Sequence, residues 1–276
     1  MDFRSLHFSL DLVAGSGLVL SPEQKATLQT SLVILKRHYK FTRVVFWGKI
    51  LGIKADYYIA QGIGHDEISD KKTLYSLNCM EWNLLPPATK TMIDETSVIK
   101  GCFLGDPSHD YEHIETRKDE DGHEAQEEEI TVKIKEEQRL AAAISLIDKE
   151  AAVVPRGAYI KTPHGLVHTN RSFEGLSVSD AGKLSSYFHF AEPVHLKQKS
   201  LLEKADLDPS IDFMDSLEND IPKGSWSLQF EKCSSVLVLR SLLWCGLTFY
   251  HIPMTPQHGY IYMGTGLKNI DLPFML

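Results

Sequence analysis

The chain has 276 residues, of which 43% are hydrophobic and 24% charged, a composition typical of a folded globular protein. Its 37 acidic and 29 basic residues give a net charge of −8, which disfavours nucleic acid and anionic membrane surfaces as partners, because both attract clustered Lys and Arg. None of the four cysteines forms a C-x-x-C pair, so the spacing favours neither a zinc knuckle nor a thiol redox site and is typical of a reducing compartment.

Two helices are predicted in the N-terminal part of the chain, about 1–40. Residues 5–14 are mostly apolar and predict a short helix. Ser21, Pro22 and Gln24 have the order of a capping box with proline at the first helical position. Apolar side chains at helical spacing then predict one buried face: Leu28, Leu32, Leu35 and Tyr39.

The next segment changes from a helical pattern to β-forming residues. Residues 44–47 with 50–51, and then 57–59, predict two strands joined as a hairpin by a loop around 52–56. Residues 74–78 predict a third strand. After Pro86 and Pro87, a short helix is expected over 88–95.

An acidic stretch interrupts the chain at residues 117–129, where one alanine is the only apolar side chain. Such a stretch cannot offset its ordering entropy by burial, which predicts a mobile acidic loop. It is either a solvated loop or an electrostatic interaction surface. A helix is predicted to follow over 135–150.

The remaining elements complete the predicted fold class. A helix is expected over 177–188 with Ser177 as its N-cap, followed by a loop-rich stretch at 200–224. Alternating residues in the β-rich C-terminal part, about 225–276, predict strands at 226–231, 236–240, 248–251 and 260–263. We therefore predict an α+β fold over one domain, 1–276, with N-terminal helices and a largely antiparallel β-sheet with flanking helices.

The short motifs of the sequence do not define a catalytic, metal or cofactor site, and we predict none. Two histidine pairs have a spacing of four, but both fall in predicted loop or strand: His109 with His113, and His164 with His168. Residues 206–212 resemble the start of a calcium loop, yet Ile211 and Leu217 occupy the positions that need Gly and Glu. The G-x-G pairs at 62–64 and 264–266 complete no nucleotide-binding motif and predict turns.

The aromatic residues of the first hairpin are the candidate protein interface: Phe46, Trp47, Tyr57 and Tyr58. Aromatic side chains are enriched at protein interfaces, which favours this interpretation. The alternative is that the four rings belong to the core of the domain itself. Strand alternation predicts that one of Tyr57 and Tyr58 points inward and the other outward.

Several stretches resemble the radial spoke head proteins of the ciliary axoneme. They are VFWGKILG at 45–52, ADYYIAQG at 55–62, KTLYSLN at 72–78, LSSYFHF at 184–190, residues 201–226, GLTFY at 246–250 and DLPFML at 271–276. The resemblance covers the chain from its first helix onward and is weakest over the acidic stretch. It implies a structural subunit without catalytic residues or cofactors.

The resemblance also implies partners and a location, namely the spoke head of 9+2 axonemes in motile cilia and flagella. The expected partners are the 4/6-type head proteins and further spoke subunits, with transient contact to central-pair projections whose signals regulate dynein. We expect the net negative charge to keep those contacts brief. Two alternatives stay open: a cytosolic protein–protein adaptor outside cilia, and an enzyme with an unrecognised site.

Overall fold

The computed structural model describes residues 1–2, 5–13, 17, 19–117 and 128–275. Within the expected acidic loop of 117–129, residues 118–127 lie outside the described residues, while Arg117 and residues 128–129 belong to strands. Among the described residues the helices are α1 (Leu6–Val13), α2 (Pro22–His38), α3 (Lys90–Thr96), α4 (Glu136–Ala151), α5 (Val178–Ala181), α6 (His195–Gln198), α7 (Leu201–Lys204) and α8 (Leu272–Met275).

The strands form one large sheet and three two-stranded ribbons. They are β1 (Arg43–Ile50), β2 (Tyr57–Ile63), β3 (Lys71–Ser76), β4 (Asn83–Leu84), β5 (Asp110–Arg117), β6 (Glu128–Lys135), β7 (Val153–Pro155), β8 (Tyr159–Lys161), β9 (Val167–Thr169), β10 (Tyr187–His189), β11 (Trp226–Glu231), β12 (Val236–Ser241), β13 (Leu247–His251) and β14 (His258–Gly264). The large sheet has eight strands in the order β11-β12-β13-β14-β1-β2-β3-β4. The ribbons pair β5 with β6, β7 with β10, and β8 with β9.

The large sheet is antiparallel in all its described pairings except the one at its centre. There β1 and β14 run parallel, joining the first hairpin to the C-terminal strands at Gly48–Tyr262, Lys49–Met263 and Ile50–Gly264. The predicted α+β class with a largely antiparallel sheet is confirmed. The parallel pair joins segments about 200 residues apart in the chain, a relation that no local pattern encodes.

One face of the sheet is covered by α1 and α2. The capping box of α2 forms as predicted, because Gln24 N donates to Ser21 Oγ at 3.2 Å and Ser21 N donates to Gln24 Oε1 at 3.0 Å. Its apolar stripe of Leu28, Leu32 and Leu35 is buried against the sheet. The opposite face of the sheet is covered by α4, so the chain builds three layers around two cores.

Away from their three parallel pairings β1 and β14 separate, and Met1 and Asp2 lie in the gap between them. Phe46 N donates to Met1 O at 2.8 Å, and the Met1 amino group donates to Phe46 O at 2.8 Å and to Tyr260 O at 3.2 Å. Asp2 forms an antiparallel bridge with Val45. These contacts stitch β1 to β14 where the two strands no longer pair directly.

One predicted helix is absent from the structure, and one ribbon of the structure was not predicted. The helix expected over 177–188 is wrong: after the short α5, capped by Ser177 as predicted, a 3-10 turn leads into β10, which pairs with β7. Tertiary pairing thus overrides local helix propensity there. The β5–β6 ribbon was not expected, although Ile130, Val132 and Ile134 of β6 alternate with polar residues as in a strand.

Candidate functional site

The four aromatic residues of the first hairpin lie inside the molecule. Phe46 and Tyr58 face α1 and α2, whereas Trp47 and Tyr57 face α4. Each is at most 5% exposed. Tyr57 and Tyr58 do point to opposite faces, but both faces are covered, so neither ring reaches solvent.

The polar atoms of these rings are also engaged within the chain. Trp47 Nε1 donates to Asp148 Oδ1 at 2.7 Å, and Tyr57 Oη donates to Glu136 Oε1 at 2.6 Å. Tyr58 Oη accepts from Gln24 Nε2 at 2.7 Å. This is the location that the alternative interpretation predicts, namely the core of the domain itself. An interface role for the four residues stays a prediction, and their burial gives it no support.

A buried carboxylate, Glu136 at the start of α4, gathers five hydrogen-bond donors. Its side chain is 0% exposed. The hydroxyls of Tyr57 and Tyr111 donate to it, as do the backbone N–H groups of Leu104, Gly105 and Asp106 at 2.8, 2.7 and 3.1 Å. We call these residues the Glu136 hub; it fastens α4 to β2, to β5 and to the loop before β5.

The titration of Glu136 agrees with a structural role. Burial by itself would raise the pKa of Glu136, but the hydrogen bonds from Tyr111, Tyr57 and the backbone outweigh it and hold the pKa below its ordinary value. Burial and the bond to Glu136 raise the pKa of Tyr57. The carboxylate therefore stays charged and acceptor-only at neutral pH, as its five donors require.

A second polar cluster surrounds Asp148, in the last turn of α4. Besides Trp47, Gln61 donates to it through Nε2. Burial raises the pKa of Asp148 and lowers the pKa of the nearby Lys71, and each charge opposes the shift of the other. Lys71 Nζ lies 4.2 Å from the centroid of the Phe190 ring.

The remaining sequence motifs lie apart in the structure. His109 and His113 flank or enter β5, His168 lies in β9, and among the described residues no three His, Cys, Asp or Glu side chains gather as a metal site. Asp212 forms an ion pair with Arg156 at 2.6 Å. Gly62 is not in a turn but within β2, where a Cβ would lie 2.2 Å from the Phe41 ring.

One surface stretch contrasts with these buried groups. In the described stretch 191–211, which we call the exposed segment, no residue is buried. It contains α6 and α7, and Leu201 and Leu202 of α7 are 88% and 86% exposed. Ser200 and Glu203 form a capping box that fixes α7.

The exposed segment is nevertheless held in place. Asp215 accepts from the backbone N–H groups of Val194, His195 and Leu196 at 2.6 to 2.9 Å. Beside the segment runs a groove of about 640 Å³, lined by apolar and basic side chains that include Leu196, Lys197, Lys204, Leu207 and Phe213. Ordered but unburied apolar residues of this kind are typical of a surface that binds another protein.

Sequence reasoning missed these features for different reasons. Glu136 stands beside Glu137 in a helix's first turn, where acidic residues are ordinary. Gln61 did carry a signal, because it is a polar residue within the otherwise apolar strand YYIAQGI. Leu201 and Leu202 were assigned to a loop-rich stretch, and adjacent leucines do not by themselves indicate exposure.

The fold and its polar clusters define a scaffold-like protein, in which the carboxylate of the Glu136 hub binds other parts of the same chain. Comparison with known proteins gives the family. Residues 5–176 match the family model of the radial spokehead-like proteins. The chain is 64% identical to radial spoke head protein 9 homolog of Bos taurus and 63% identical to that of Homo sapiens, over 100% of both chains in each case. It is 61% identical to the Danio rerio homolog, again over the full length of both.

The chain belongs to the radial spokehead-like protein family. The described residues contain no helix that is both long and apolar enough to span a membrane. The stretches VFWGKILG and KTLYSLN that carry the sequence resemblance lie mostly in β1 and β3, which flank β2 in the large sheet.

Proposed function

We propose that the chain is a structural subunit of the radial spoke head in the axoneme of motile cilia and flagella, without chemistry of its own. The observation that carries the proposal is the similarity at 57–64% identity, over the whole chain, to proteins named radial spoke head protein 9 homolog. The Glu136 hub supports a non-catalytic role, because all its donors come from the same chain and leave the carboxylate occupied.

The proposed partners are the 4/6-type head proteins and further spoke subunits, with brief contacts to central-pair projections. In this role the chain assembles the head and helps to pass central-pair signals to the dyneins. The large sheet has a packed core on each face, which supports this role, because a subunit that transmits force must resist deformation. The net charge of −8 is proposed to keep the contacts with central-pair projections weak and brief.

Removal of the chain from ciliated cells tests this proposal. Axonemes from cells that lack the protein are expected to lose the other head subunits while keeping the spoke stalks. Re-expression of the protein is expected to restore the head subunits. The protein inventory of isolated axonemes, measured by quantitative mass spectrometry, gives the result. Axonemes with a complete set of head subunits, or a chain found only in the soluble fraction, would favour the adaptor alternative.

The exposed segment, 191–211, is the surface we propose for docking to a neighbouring head protein. Its support is the combination of two exposed leucines, a capped helix and the Asp215 anchor. Burial of Leu201 and Leu202 on a partner would remove apolar area from water at about 25 cal/mol per Å². The anchor reduces the ordering cost that a flexible segment would have to meet on binding.

We also propose that residues 1–276 act as one domain. Tyr260 packs against the core under α4 and also against a smaller hydrophobic cluster that includes Tyr159 and Phe190, which supports mechanical continuity. Unfolding in urea is then expected to follow one cooperative transition by both near-ultraviolet and far-ultraviolet circular dichroism. Two separated transitions would contradict a single domain.

A further inference from the structure

A cavity of about 590 Å³ lies beside the gap between β1 and β14. Its apolar walls include Val45, Ile63, Val154 and Tyr250, which lie on the large sheet and on β7. A second cavity of about 710 Å³, open towards α4, shares Gln61, Lys71 and Phe190 with the first. These three residues therefore stand where the two cavities meet.

Polar groups converge on one corner of the first cavity. Arg43 on β1 and Lys71 on β3 both pair with Ile63 of β2, so the three side chains share one face of the sheet and the two cations flank Ile63. Gln61 lies two residues along β2 on the same face. A mostly apolar cavity with a few convergent polar groups is the usual form of a small-molecule site.

Hydrogen-bonding capacity is left unused in this corner. Gln61 is 1% exposed and gives its amide N–H to Asp148, but its Oε1 has no partner among the described residues. Arg43 Nη2 binds Glu67 at 2.7 Å and Tyr159 Oη at 3.3 Å, whereas the buried Nε of Arg43 has no partner in the same described set. Buried donors and acceptors without partners are rare, because each carries an uncompensated desolvation cost.

Lys71 adds a cation that is directed to an aromatic ring. Its ammonium lies over Phe190, and within the described part of the chain no carboxylate oxygen comes within 4.0 Å of it. Three acids lie near these cations: Glu67 pairs with Arg43, Asp148 accepts from Trp47 and Gln61, and Asp2, bridged to Val45, also lines the cavity and adds negative charge near Arg43. The corner thus offers two donors suited to an anion and one acceptor suited to a hydroxyl.

We propose that this cavity binds a small hydroxy acid with an apolar body, whose carboxylate lies between Arg43 and Lys71 and whose hydroxyl donates to Gln61 Oε1. The carboxylate supplies the acceptor that Arg43 Nε lacks, and it gives Lys71 a charge-assisted hydrogen bond. The apolar body takes the space beside Val45 and Val154. None of these residues belongs to the exposed segment, so ligand binding and docking are separable.

Three matched probes test the ligand chemistry on the purified full-length chain. 3-Phenyllactate carries the acid, the hydroxyl and the ring; 3-phenylpropionate lacks the hydroxyl; 3-phenylpropane-1,2-diol lacks the acid. Titration calorimetry is expected to give the tightest binding for 3-phenyllactate, at least threefold weaker binding for 3-phenylpropionate, and at least tenfold weaker binding for the diol. Equal affinities for acid and diol, or no heat with any probe up to 10 mM, would overturn the proposal.

Two neighbouring lysines provide the matched variants. Lys71→Met removes the ammonium group from the cavity and is expected to weaken the binding of 3-phenyllactate at least tenfold. Lys72→Met changes an exposed lysine on the opposite face of the sheet and is expected to leave the affinity unchanged. Lys71→Arg is expected to recover most of the binding, which separates charge from misfolding. Binding that is the same in Lys71→Met as in the unmodified chain would overturn the site, whatever the axonemal role of the protein.

Discussion

The Glu136 hub and the exposed segment place their key side chains in opposite settings. In the hub, one carboxylate is surrounded by five donors of the same chain and no solvent reaches it. In the exposed segment, Leu201 and Leu202 contact almost nothing, although the backbone around them is anchored. Hub residues therefore should determine stability, whereas the leucines should determine association with little effect on stability.

The largest stability loss is expected at the centre of the sheet, from Gly48→Ala. Gly48 has φ +149°, and a Cβ there would lie 1.9 Å from the Tyr262 carbonyl oxygen, across the parallel pairing. The backbone cannot yield without separating β1 from β14, so the free energy of unfolding should fall by about 4 kcal/mol or more. Urea denaturation measures it.

Gly101→Ala is the matched control for this substitution. Gly101 also has a positive φ, +99°, but apart from its chain neighbours no heavy atom of the described residues lies within 4 Å of the position that a Cβ would occupy there. Backbone strain is then the only cost, and the free energy of unfolding should fall by about 1 kcal/mol. Equal effects of the two substitutions would show that the close approach at Tyr262 is not what requires glycine.

Glu136→Gln is the next largest expected effect. The isosteric amide turns one acceptor oxygen into an NH₂ group that faces donors, and it removes the charge that strengthens the remaining bonds. The free energy of unfolding should fall by about 2–4 kcal/mol. Glu137→Gln, one residue along α4 and partly exposed, should change it by less than about 0.5 kcal/mol. Similar values for the two would refute the hub.

An acid-dependent loss of stability is expected from His258. Burial lowers the pKa of His258 to about 4, from about 6.5 in the unfolded chain. The hydrogen bond to Pro256 O opposes this shift, whereas the charges of His251 and Arg43 add to it. The unfolded state binds the proton more readily, so stability is full above pH 6.5 and declines as the pH falls towards 4. The loss should be about 2 kcal/mol.

His258→Asn should flatten this part of the pH profile, which thermal unfolding between pH 4 and 7.5 records. His65→Asn, at an exposed position, serves as the control and should leave the profile unchanged. If the profile keeps its slope in His258→Asn, another group is responsible for the acid sensitivity.

The smallest stability effect is expected from Leu201→Ser with Leu202→Ser. Both side chains are already in solvent, so the free energy of unfolding should change by less than about 0.5 kcal/mol. Loading onto axonemes should nevertheless fall several-fold, because the apolar contact with the partner is lost. Ile221→Ser, which is equally exposed at 87% but outside the segment, is the control. Normal loading of the double variant would remove the segment as a docking surface.

The sequence predicted elements whose signals are local. Ser21 and Gln24 mark the start of α2 to the residue, and the alternation after Trp226 yields four strands in their observed places. The helix expected over 177–188 was wrong because β7, far earlier in the chain, recruits residues 187–189 as a strand. A local pattern cannot report a partner that is distant in sequence.

The site was less predictable than the fold for the same reason. The aromatic residues of the first hairpin indicated a packed surface. Whether aromatic side chains face a core or a partner depends on what covers the sheet, and here α1, α2 and α4 cover it. The donors to Glu136 come from β2, from β5 and from the loop before β5, which are separate in the chain. The composition of any one segment could not reveal their meeting point.

Cross-linking of intact axonemes tests the central claim most directly. An amine-reactive cross-linker applied to isolated axonemes, followed by mass spectrometry, should join the lysines of the exposed segment, Lys197, Lys199 and Lys204, to other radial spoke head proteins. Links from these lysines only to proteins outside the spokes, or recovery of the chain in the soluble fraction without any spoke partner, would contradict a structural role in the spoke head.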